Sequence, residues 1–301
     1  MTILNKEQLQ LISDVLWCMP KDIQILHNNV GGMTNSSILI SVEEKKYIVR
    51  LPGKGSDKLV NREQECQIYN FLHKNGYDNI TAFISKSGIK ISKYIVNSRI
   101  CRSNDIDDVM LSMKKLRELH ELKFQPDVEY FSLLQNIKKY RKLIKIENDK
   151  YNDVYNRCLT IDKWINTLPK DKCLCQIDAN PDNIIFSCDM PEPTLIDWEY
   201  AGLQDPHVDI AMWAVYCNYD IYEFDTLIYY YFKQNIDNIT RYKIYGYAAL
   251  SGLLWYNWCL YKKQEYHISY GEYTKNQFEY ADKFSKLVVN YINGDKNDIR
   301  N

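Results

Sequence analysis

The chain has 301 residues, which exceeds the usual size of one compact core and predicts two domains or lobes. Hydrophobic residues make up 46% and charged residues 26%, a balance typical of a globular protein. The formal net charge of −1 offers no electrostatic basis for binding nucleic acid or an anionic membrane, so both partner classes are disfavoured.

The cysteines and the N-terminal segment indicate in which cellular compartment the protein is expected. The nine cysteines are scattered, odd in number and without a C-x-x-C pair or zinc-finger spacing, and Cys173-x-Cys175 is predicted to lie on an apolar strand. They predict free thiols in a reducing cytosol. Neither a signal-peptide pattern nor an apolar run of roughly 18 residues is present, so we expect a soluble cytoplasmic protein without membrane insertion.

The first hundred residues or so are predicted to be rich in strands. Amphipathic patterns predict helices over 5–17 and 58–74, and short apolar segments predict strands over 23–26, 38–40, 47–51, 81–85 and 89–95. The turn after the first strand contains Gly31, Gly32, Thr34 and Asn35. It is either an ordinary hairpin turn or a loop whose backbone N–H groups bind nucleotide phosphates.

Arg50 ends the third predicted strand, and the helix that follows carries Glu63 and Glu65. A cation on a strand paired with a glutamate of the next helix is how protein-kinase-like lobes hold nucleotide phosphates. The alternative is that these charges are simply solvated. Either glutamate could be the partner of Arg50.

The periodicity of the apolar residues changes near residues 96–98. From there on, helical patterns cover 105–122, 131–147 and 151–168. We therefore predict a nucleotide-binding lobe over residues 1–96 and a catalytic and substrate-binding lobe over residues 97–301. A nucleotide is expected at the crossing between them, because clefts between lobes are preferred ligand sites.

The residues between 174 and 200 carry the candidate chemistry. Asp178 lies in a polar loop, Asn183 follows it, and Asp197 ends an apolar run. The apolar segments 184–186 and 194–196 flank a polar turn and predict a hairpin in which Asn183 faces Asp197, at about 5 Å between Cβ atoms. An amide and a carboxylate on a metal ion, beside a free carboxylate base, are the groups that phosphoryl transfer from a magnesium nucleotide needs.

A polar stretch follows, with Asp205, His207 and Asp209 at alternate positions. These residues could be drawn as a metal cluster, but alternate spacing on a loop rarely brings three ligands together. The favoured interpretation is that Asp209 caps the next helix or accepts hydrogen bonds from the catalytic loop.

The segment 245–284 is rich in aromatic residues. Trp255 and Trp258 are three residues apart and therefore share one helix face. Core packing is one interpretation of these side chains. The other is a cage whose ring faces attract a quaternary ammonium group, at about 0.5–2 kcal/mol per contact.

The pattern Asp178-x-x-x-x-Asn183, followed by Asp197-Trp198-Glu199-Tyr200, resembles the choline/ethanolamine kinase family, in particular its bacterial LicA-type choline kinases. More distantly it resembles the aminoglycoside phosphotransferases. The resemblance extends from about residue 20 to 285. It implies an α+β, bilobal protein-kinase-like fold, with a small β-rich N-terminal lobe and a larger, mostly helical C-terminal lobe. The implied reaction is transfer of the γ-phosphoryl group of ATP, with Mg²⁺, to the hydroxyl of choline.

The resemblance also implies roles for individual residues. Asp178 is the catalytic base, and Asn183 and Asp197 hold magnesium. The nucleotide is contacted by Gly31, Gly32, Thr34, Asn35, Arg50 braced by Glu65, and Lys93, Tyr94 and Ile95. The choline pocket is lined by Asn180, Glu199, Tyr200, Tyr216, Trp255, Trp258, Tyr270 and Tyr273.

One position departs from the family pattern. Gln176 stands where the family has a histidine that supports the catalytic loop. A glutamine amide also donates and accepts hydrogen bonds, so activity is expected to survive. The alternatives are an ethanolamine kinase, an aminoglycoside kinase using Glu265, Glu272 and Glu279, or a non-catalytic binder of a choline-like cation.

Overall fold

The computed structural model describes residues 4–28, 35–53, 60–123, 125–146 and 148–294. The chain forms two compact units. The first comprises Met1–Ser98, Pro126–Val128 and Ser187–Tyr200, and the second comprises Arg99–Gln125, Glu129–Phe186 and Ala201–Asn301. The functional division between residues 96 and 97 stays a prediction.

The helices and strands follow one another in a simple order. They are α1 (Lys6–Leu16), β1 (Gln24–Asn28), β2 (Ser36–Val42), β3 (Lys45–Leu51), α2 (Arg62–Lys74), β4 (Thr81–Ile84), β5 (Lys90–Lys93), β6 (Ser98–Ile100), α3 (Ile106–His120), α4 (Leu133–Leu143), α5 (Asp149–Ile165), β7 (Cys173–Cys175), β8 (Ile184–Ser187), β9 (Thr194–Leu195), β10 (Gly202–Gln204), α6 (His207–Cys217), α7 (Ile221–Phe232), α8 (Asn238–Tyr266) and α9 (Glu272–Ile292). Each predicted helix and strand of the first hundred residues is present.

The first unit is built on a five-stranded antiparallel sheet in the order β1-β2-β3-β5-β4. Alternating apolar side chains of β2 and β3, such as Ile38 and Val49, form its core with Ile12 of α1. Glu43 and Glu44 close the β2–β3 hairpin with φ of 47° and 67°. These left-handed conformations are those of a type I′ turn, whose twist matches that of the flanking strands.

The turn between β4 and β5 requires a glycine. Gly88 has φ of 87°, and a Cβ at this position would lie 2.7 Å from Nε of Arg62. The carbonyl oxygen of Gly88 also accepts a hydrogen bond from Arg50, at 3.3 Å. The glycine therefore leaves room for one arginine and contributes to the position of another.

The second unit is mostly helical, with α8 at its centre. This 29-residue helix is buried along most of its length and packs against α4, α5, α6 and α9. A Cβ on Gly252 would lie 2.7 Å from the backbone oxygen of Gln277, so the glycine permits the close approach of α8 and α9. Among the described residues, every helix is too short or too polar to span a lipid bilayer.

The segment that carries the candidate chemistry differs in detail from the sequence-based prediction. β8 and β9 flank the proline-bearing turn as expected. Asn183, however, ends the 3₁₀ turn Pro181–Asn183, and Asp197 follows β9 with φ of 60°. The prediction that they face each other as partners in a strand ladder is therefore wrong, because neither residue lies in a strand.

Candidate active site

The loop that carries Asp178 begins at the end of β7 and is held by a buried carboxylate. Ile177 has φ of 66°, a left-handed conformation that is costly for a β-branched residue. Asp209, in the first turn of α6, accepts hydrogen bonds from the backbone N–H groups of Gln176 and Ile177, both at 2.8 Å. The prediction that Asp209 bonds to the catalytic loop is confirmed, and this contact compensates for the strain at Ile177.

Asp209 has a third partner in the same unit. Nε2 of His120, at the end of α3, lies 2.9 Å from Oδ2 of Asp209, and Nδ1 of His120 lies 2.7 Å from the hydroxyl of Tyr231. Asp209 and Gln176 are completely buried. The loop that carries Asp178 is thus supported by a histidine from a helix distant in sequence, which shares the carboxylate of Asp209 with the backbone of Gln176.

Two amide side chains orient Asp178. Nδ2 of Asn180 donates to Oδ1 of Asp178 at 3.1 Å, and Nδ2 of Asn183 donates to Oδ2 at 3.0 Å. The side-chain oxygen of Asn180 accepts in turn from the backbone N–H groups of Asp182 and Asn183, which fixes the 3₁₀ turn. Because the nitrogen of the Asn183 amide is engaged by Asp178, its oxygen is the end that could bind a metal ion.

Aromatic side chains gather around Asp178 in the second unit. The rings of Tyr216 and Tyr273 lie 6.0 Å apart, edge to face. Burial, reinforced by the nearby Asp178 carboxylate, raises the pKa of Tyr273 well above its usual value. The same two causes, together with Asp182, raise the pKa of Tyr216. Both phenols therefore stay neutral at physiological pH and lie close enough to feel the charge of Asp178.

A second group of rings continues from Tyr273. Trp255 and Trp258 lie edge to face at 6.0 Å, and Trp258 stacks on Tyr270 at 5.0 Å. Nζ of Lys262 lies 5.6 Å from the ring centre of Trp258, so one face of this indole is already in contact with a cation. We call Tyr216, Trp255, Trp258, Tyr270 and Tyr273 the aromatic cluster.

In the first unit, Arg50 is braced by the later of the two candidate glutamates. Its guanidinium lies 2.5 Å from Glu65 and 3.0 Å from Asp197, and Arg50 is 3% exposed. Burial works against the charged form, but Asp197 and Glu65 outweigh it and raise the pKa of Arg50. Glu63 instead pairs with Lys86 at the surface. The alternative that these charges are solvated is therefore correct for Glu63 and wrong for Arg50 and Glu65.

Arg62 is the member of this network that the sequence did not single out. It lies 2.8 Å from Glu65 and 3.0 Å from Glu199, and it donates to Oδ1 of Asn35 at 3.0 Å. Nδ2 of Asn35 donates to Glu199 at 2.7 Å. Burial and the neighbouring Asp197 raise the pKa of Glu199 against the effect of the arginines. The grouping of Glu65, Asp197 and Glu199 is therefore an ion-pair network rather than an open metal site.

A second residue that sequence reasoning missed is Lys90 on β5. It pairs with Arg50 across the sheet, is 9% exposed and places its Nζ 2.5 Å from the hydroxyl of Tyr69. Burial and the neighbouring Arg50 lower the pKa of Lys90 to about 8. An amphipathic strand pattern gives no signal for such a buried cation.

The remaining predicted site residues fall into three groups. Gly31, Gly32 and Thr34 lie outside the described residues. The backbone N–H groups of Lys93 and Tyr94 donate to Ile80 and Lys46, so any adenine contact from these two residues must use other atoms; the contact predicted for Ile95 stays a prediction. Glu199 and the buried Tyr200 belong to the first unit, and their place in a choline pocket stays a prediction, as does magnesium binding by Asn183 and Asp197.

Solved structures share this fold along almost the whole chain. The choline kinase LicA from Streptococcus pneumoniae has a TM-score of 0.78 and 29% identity, over 92% of this chain and 97% of that one. A structure of LicA in complex with AMP has a TM-score of 0.79 and 28% identity, over 96% and 100%. The fold is therefore the α+β protein-kinase-like fold of small-molecule phosphotransferases, as predicted.

Sequence comparison narrows this class to one family. The family model for choline/ethanolamine kinases matches residues 26–245. The protein LicA of Haemophilus influenzae is 26% identical over 275 residues, which cover 85% of this chain and 78% of that protein. The chain belongs to the choline/ethanolamine kinase family, and it is a kinase-type phosphotransferase.

Proposed function

We propose that the protein transfers the γ-phosphoryl group of ATP, in the presence of Mg²⁺, to the hydroxyl of choline, giving phosphocholine and ADP. The observation that carries this proposal is the aromatic cluster of the second unit, of which Tyr216 and Tyr273 are influenced by the charge of Asp178. A trimethylammonium group has no N–H to donate, so it is selected by ring faces and a nearby carboxylate. The solved relative that is named a choline kinase supports the same acceptor.

Asp178 is the proposed general base. Its two oxygens are oriented by Asn180 and Asn183, so one of them can accept the proton of the choline hydroxyl as the hydroxyl oxygen attacks. The new bond joins the hydroxyl oxygen of choline to the γ-phosphorus. The bond that breaks joins the γ-phosphorus to the oxygen bridging to the β-phosphate, and ADP leaves with its electron pair. Positioning and charge neutralisation supply most of the rate enhancement in such transfers.

The proposed magnesium ligands are Asn183 and Asp197. The donor set suits this ion, because an amide oxygen and a carboxylate are hard oxygen ligands. The Asn183 amide directs its nitrogen to Asp178, which leaves its oxygen for the ion, and the Asp197 side chain is one-third exposed with Oδ1 engaged by Arg50. When bound, the ion neutralises charge on the phosphates.

Arg50 is the proposed contact to the nucleotide phosphates. The Glu65 carboxylate orients it, and Arg62 secures the other oxygen of that carboxylate. A guanidinium braced in this way loses little side-chain entropy when it binds an anion. The relative solved with AMP supports a nucleotide as the donor, and we place the reaction in the cytoplasm, where ATP is supplied.

An acceptor screen tests the proposal. ADP release is followed with Mg-ATP and choline, ethanolamine or kanamycin, each at the same concentration range. We expect the highest kcat/KM with choline, because the rings of the aromatic cluster suit a quaternary ammonium group, and the carboxylates that an aminoglycoside would need (Glu265, Glu272 and Glu279) are not part of this cluster. A preference for ethanolamine or kanamycin would reject choline as the substrate. Binding of choline by calorimetry with no ADP release would reject the kinase reaction in favour of a cation-binding protein.

A further inference from the structure

A pair of buried thiols lies directly behind the catalytic loop. Cys173 and Cys175 occupy the same face of β7, and their Sγ atoms are 3.8 Å apart. His120 is the third member of the group, because one of its ring nitrogens and both sulfur atoms lie within 4.8 Å of one another. The reaction proposed above uses none of these three side chains to contact substrate.

The spacing of the group matches that of a tetrahedral metal centre. Two thiolates bound to zinc at about 2.3 Å, at the tetrahedral angle, are separated by about 3.8 Å. The two thiols are already at this separation on a strand fixed by β10, with Cys175 opposite Gly202 and Cys173 opposite Gln204. Two sulfur donors and an imidazole suit Zn²⁺ and its spectroscopic substitute Co²⁺, whereas Mg²⁺ prefers oxygen ligands.

The surroundings of His120 are those of a metal-binding histidine. A ligating imidazole commonly donates its other N–H to a carboxylate, which fixes the ring orientation. Nε2 of His120 has this partner in Asp209, at 2.9 Å. Nδ1 faces the hydroxyl of Tyr231 at 2.7 Å. Because Nε2 is held by Asp209, Nδ1 is the nitrogen that a metal ion would take.

We propose that Cys173, Cys175 and Nδ1 of His120 form a binding site for a thiophilic divalent cation, with Zn²⁺ as the natural ion. Both thiols donate weak hydrogen bonds to the backbone oxygen of Gln204, at 3.6 and 3.5 Å. Binding replaces these contacts and the bond between His120 and Tyr231. Two S–H protons are released to solvent as two sulfur–metal bonds form, so that charge and atoms balance.

Such a site is linked to catalysis through one carboxylate. Asp209 accepts from His120 on one side and from the backbone of Gln176 and Ile177 on the other. A metal ion bound to Nδ1 makes the Nε2–H group of His120 a stronger hydrogen-bond donor to Asp209. Occupancy of the site therefore changes the anchor of the loop that carries Asp178, without any metal ligand touching the substrate.

Cobalt titration of the purified full-length chain tests the site. We expect one equivalent of Co²⁺ to bind with the thiolate-to-cobalt charge-transfer absorption and the intense visible bands of a tetrahedral centre, and one equivalent of Zn²⁺ to remove both. Cys173→Ser and Cys175→Ser should each reduce the charge-transfer absorption, and the double variant should abolish it. His120→Gln removes a proposed ligand and should weaken cobalt binding by more than the roughly 10–100-fold that the loss of an outer-shell partner costs.

Two variants separate this site from a general loss of structure. Cys158→Ser removes another fully buried thiol that donates to a backbone carbonyl, and it should leave the cobalt spectrum unchanged. Tyr231→Phe keeps the ring and frees Nδ1 of His120, so it should bind cobalt at least as tightly as the wild type. Absence of binding to the folded wild type, or an unchanged cobalt spectrum in the double cysteine variant, would overturn the proposal. Loss of binding in Tyr231→Phe would also contradict it.

Discussion

At the scale of single residues, two asparagine side chains orient Asp178, and both come from the turn that follows it. Asn180 and Asn183 each donate to a different oxygen of the carboxylate. Asn180 also caps the turn that presents Asn183. The close spacing of these residues, within six positions of the chain, makes the proposed base and the proposed metal ligand a single local structure.

The first prediction concerns Asp178→Ala. Since the proposed base acts only on the acceptor hydroxyl, kcat should fall by about 10²–10⁴-fold while the affinity for nucleotide stays within about twofold. ADP release and calorimetric titration with the nucleotide measure the two quantities. Asp189→Ala, in the exposed turn after β8, is the matched control and should change neither. More than about a tenth of the wild-type kcat in Asp178→Ala would remove Asp178 from the role of base.

The second prediction concerns Lys90. Its pKa is lowered from 10.5 to about 8 in the folded protein, so between these values the unfolded chain binds more protons than the folded chain. The free energy of unfolding should therefore contain a contribution that rises with pH from about 8 to 10.5, by up to about 3 kcal/mol. Lys90→Met should remove this rise and increase stability at pH 7. Urea unfolding at several pH values measures it, and an unchanged slope in Lys90→Met would assign the effect to another group.

At the scale of elements, the end of β7 and the first turn of α6 are joined by Asp209. The left-handed Ile177 is maintained by the two hydrogen bonds that its own and the preceding N–H donate to that carboxylate. The helix N-terminus favours a negative charge at this position, which adds to the stabilisation.

The third prediction follows from this junction. Asp209→Asn places an amide N–H₂ group against hydrogen-bond donors. The free energy of unfolding should therefore fall by about 2–4 kcal/mol, and kcat should fall at least about tenfold as the loop relaxes. Thermal unfolding and steady-state kinetics measure these changes. Asp220→Asn, at the N-cap of α7, is a control in which a good cap is retained, and kcat should be unchanged. Wild-type kcat in Asp209→Asn would show that this anchor does not position the base.

Helix α8 carries the two tryptophans of the aromatic cluster, and Trp258 faces the segment that precedes α9. Gly252 brings these helices together, and Tyr270 then stacks on Trp258. The arrangement depends on a helix-on-helix approach that only a glycine allows. An aromatic residue on a helix can be read from the sequence, but its ring partner cannot.

The fourth prediction concerns Trp258→Ala. The KM for choline should rise by about tenfold or more, since a ring contact to a desolvated cation contributes about 1–2 kcal/mol, while the KM for ATP changes little. Trp164→Ala, which removes an indole packed on Tyr291 of the same unit, is the matched control for lost aromatic packing. If both KM values rise equally in Trp258→Ala, the tryptophan does not line the choline pocket.

At the scale of the whole molecule, the chain returns to its first unit with the segment Ser187–Tyr200. Arg62 on α2 and Glu199 are 137 residues apart in sequence and 3.0 Å apart in space. This ion pair, Arg50–Asp197 and the edge-to-face contact of Tyr77 with Trp198 attach the returning segment to the unit. The D-W-E-Y motif is therefore part of the architecture of the first unit.

The fifth prediction concerns this attachment. In Arg62→Met, Glu65 keeps one arginine partner, Arg50, and Glu199 keeps its hydrogen bond from Asn35. Removing one partner of a buried ion pair should lower the free energy of unfolding by about 3–5 kcal/mol. Lys86→Met breaks the exposed Lys86–Glu63 pair and is the control, expected to leave the unfolding midpoint unchanged. Chemical denaturation measures both, and equal midpoints for the two variants would contradict the assigned role of Arg62.

The sequence by itself determined the local structures of this protein. Apolar periodicity predicted the helices and strands of the first hundred residues and the helices α3, α4 and α5, but not the 3₁₀ turn from which Asn180 and Asn183 contact Asp178. The sequence also indicated that Asp209 bonds to the catalytic loop. These features depend on residues near one another in the chain or on a motif with few alternatives.

Only the tertiary structure decided the partners that meet from distant segments. It selected Glu65 over Glu63, added Arg62 and Lys90 to the first unit, and brought His120 to Asp209 and to the thiols of β7. The physical reason is that burial makes an unpaired charge or polar group costly, so partners are chosen by the packing of the folded chain and carry no fixed spacing in the sequence.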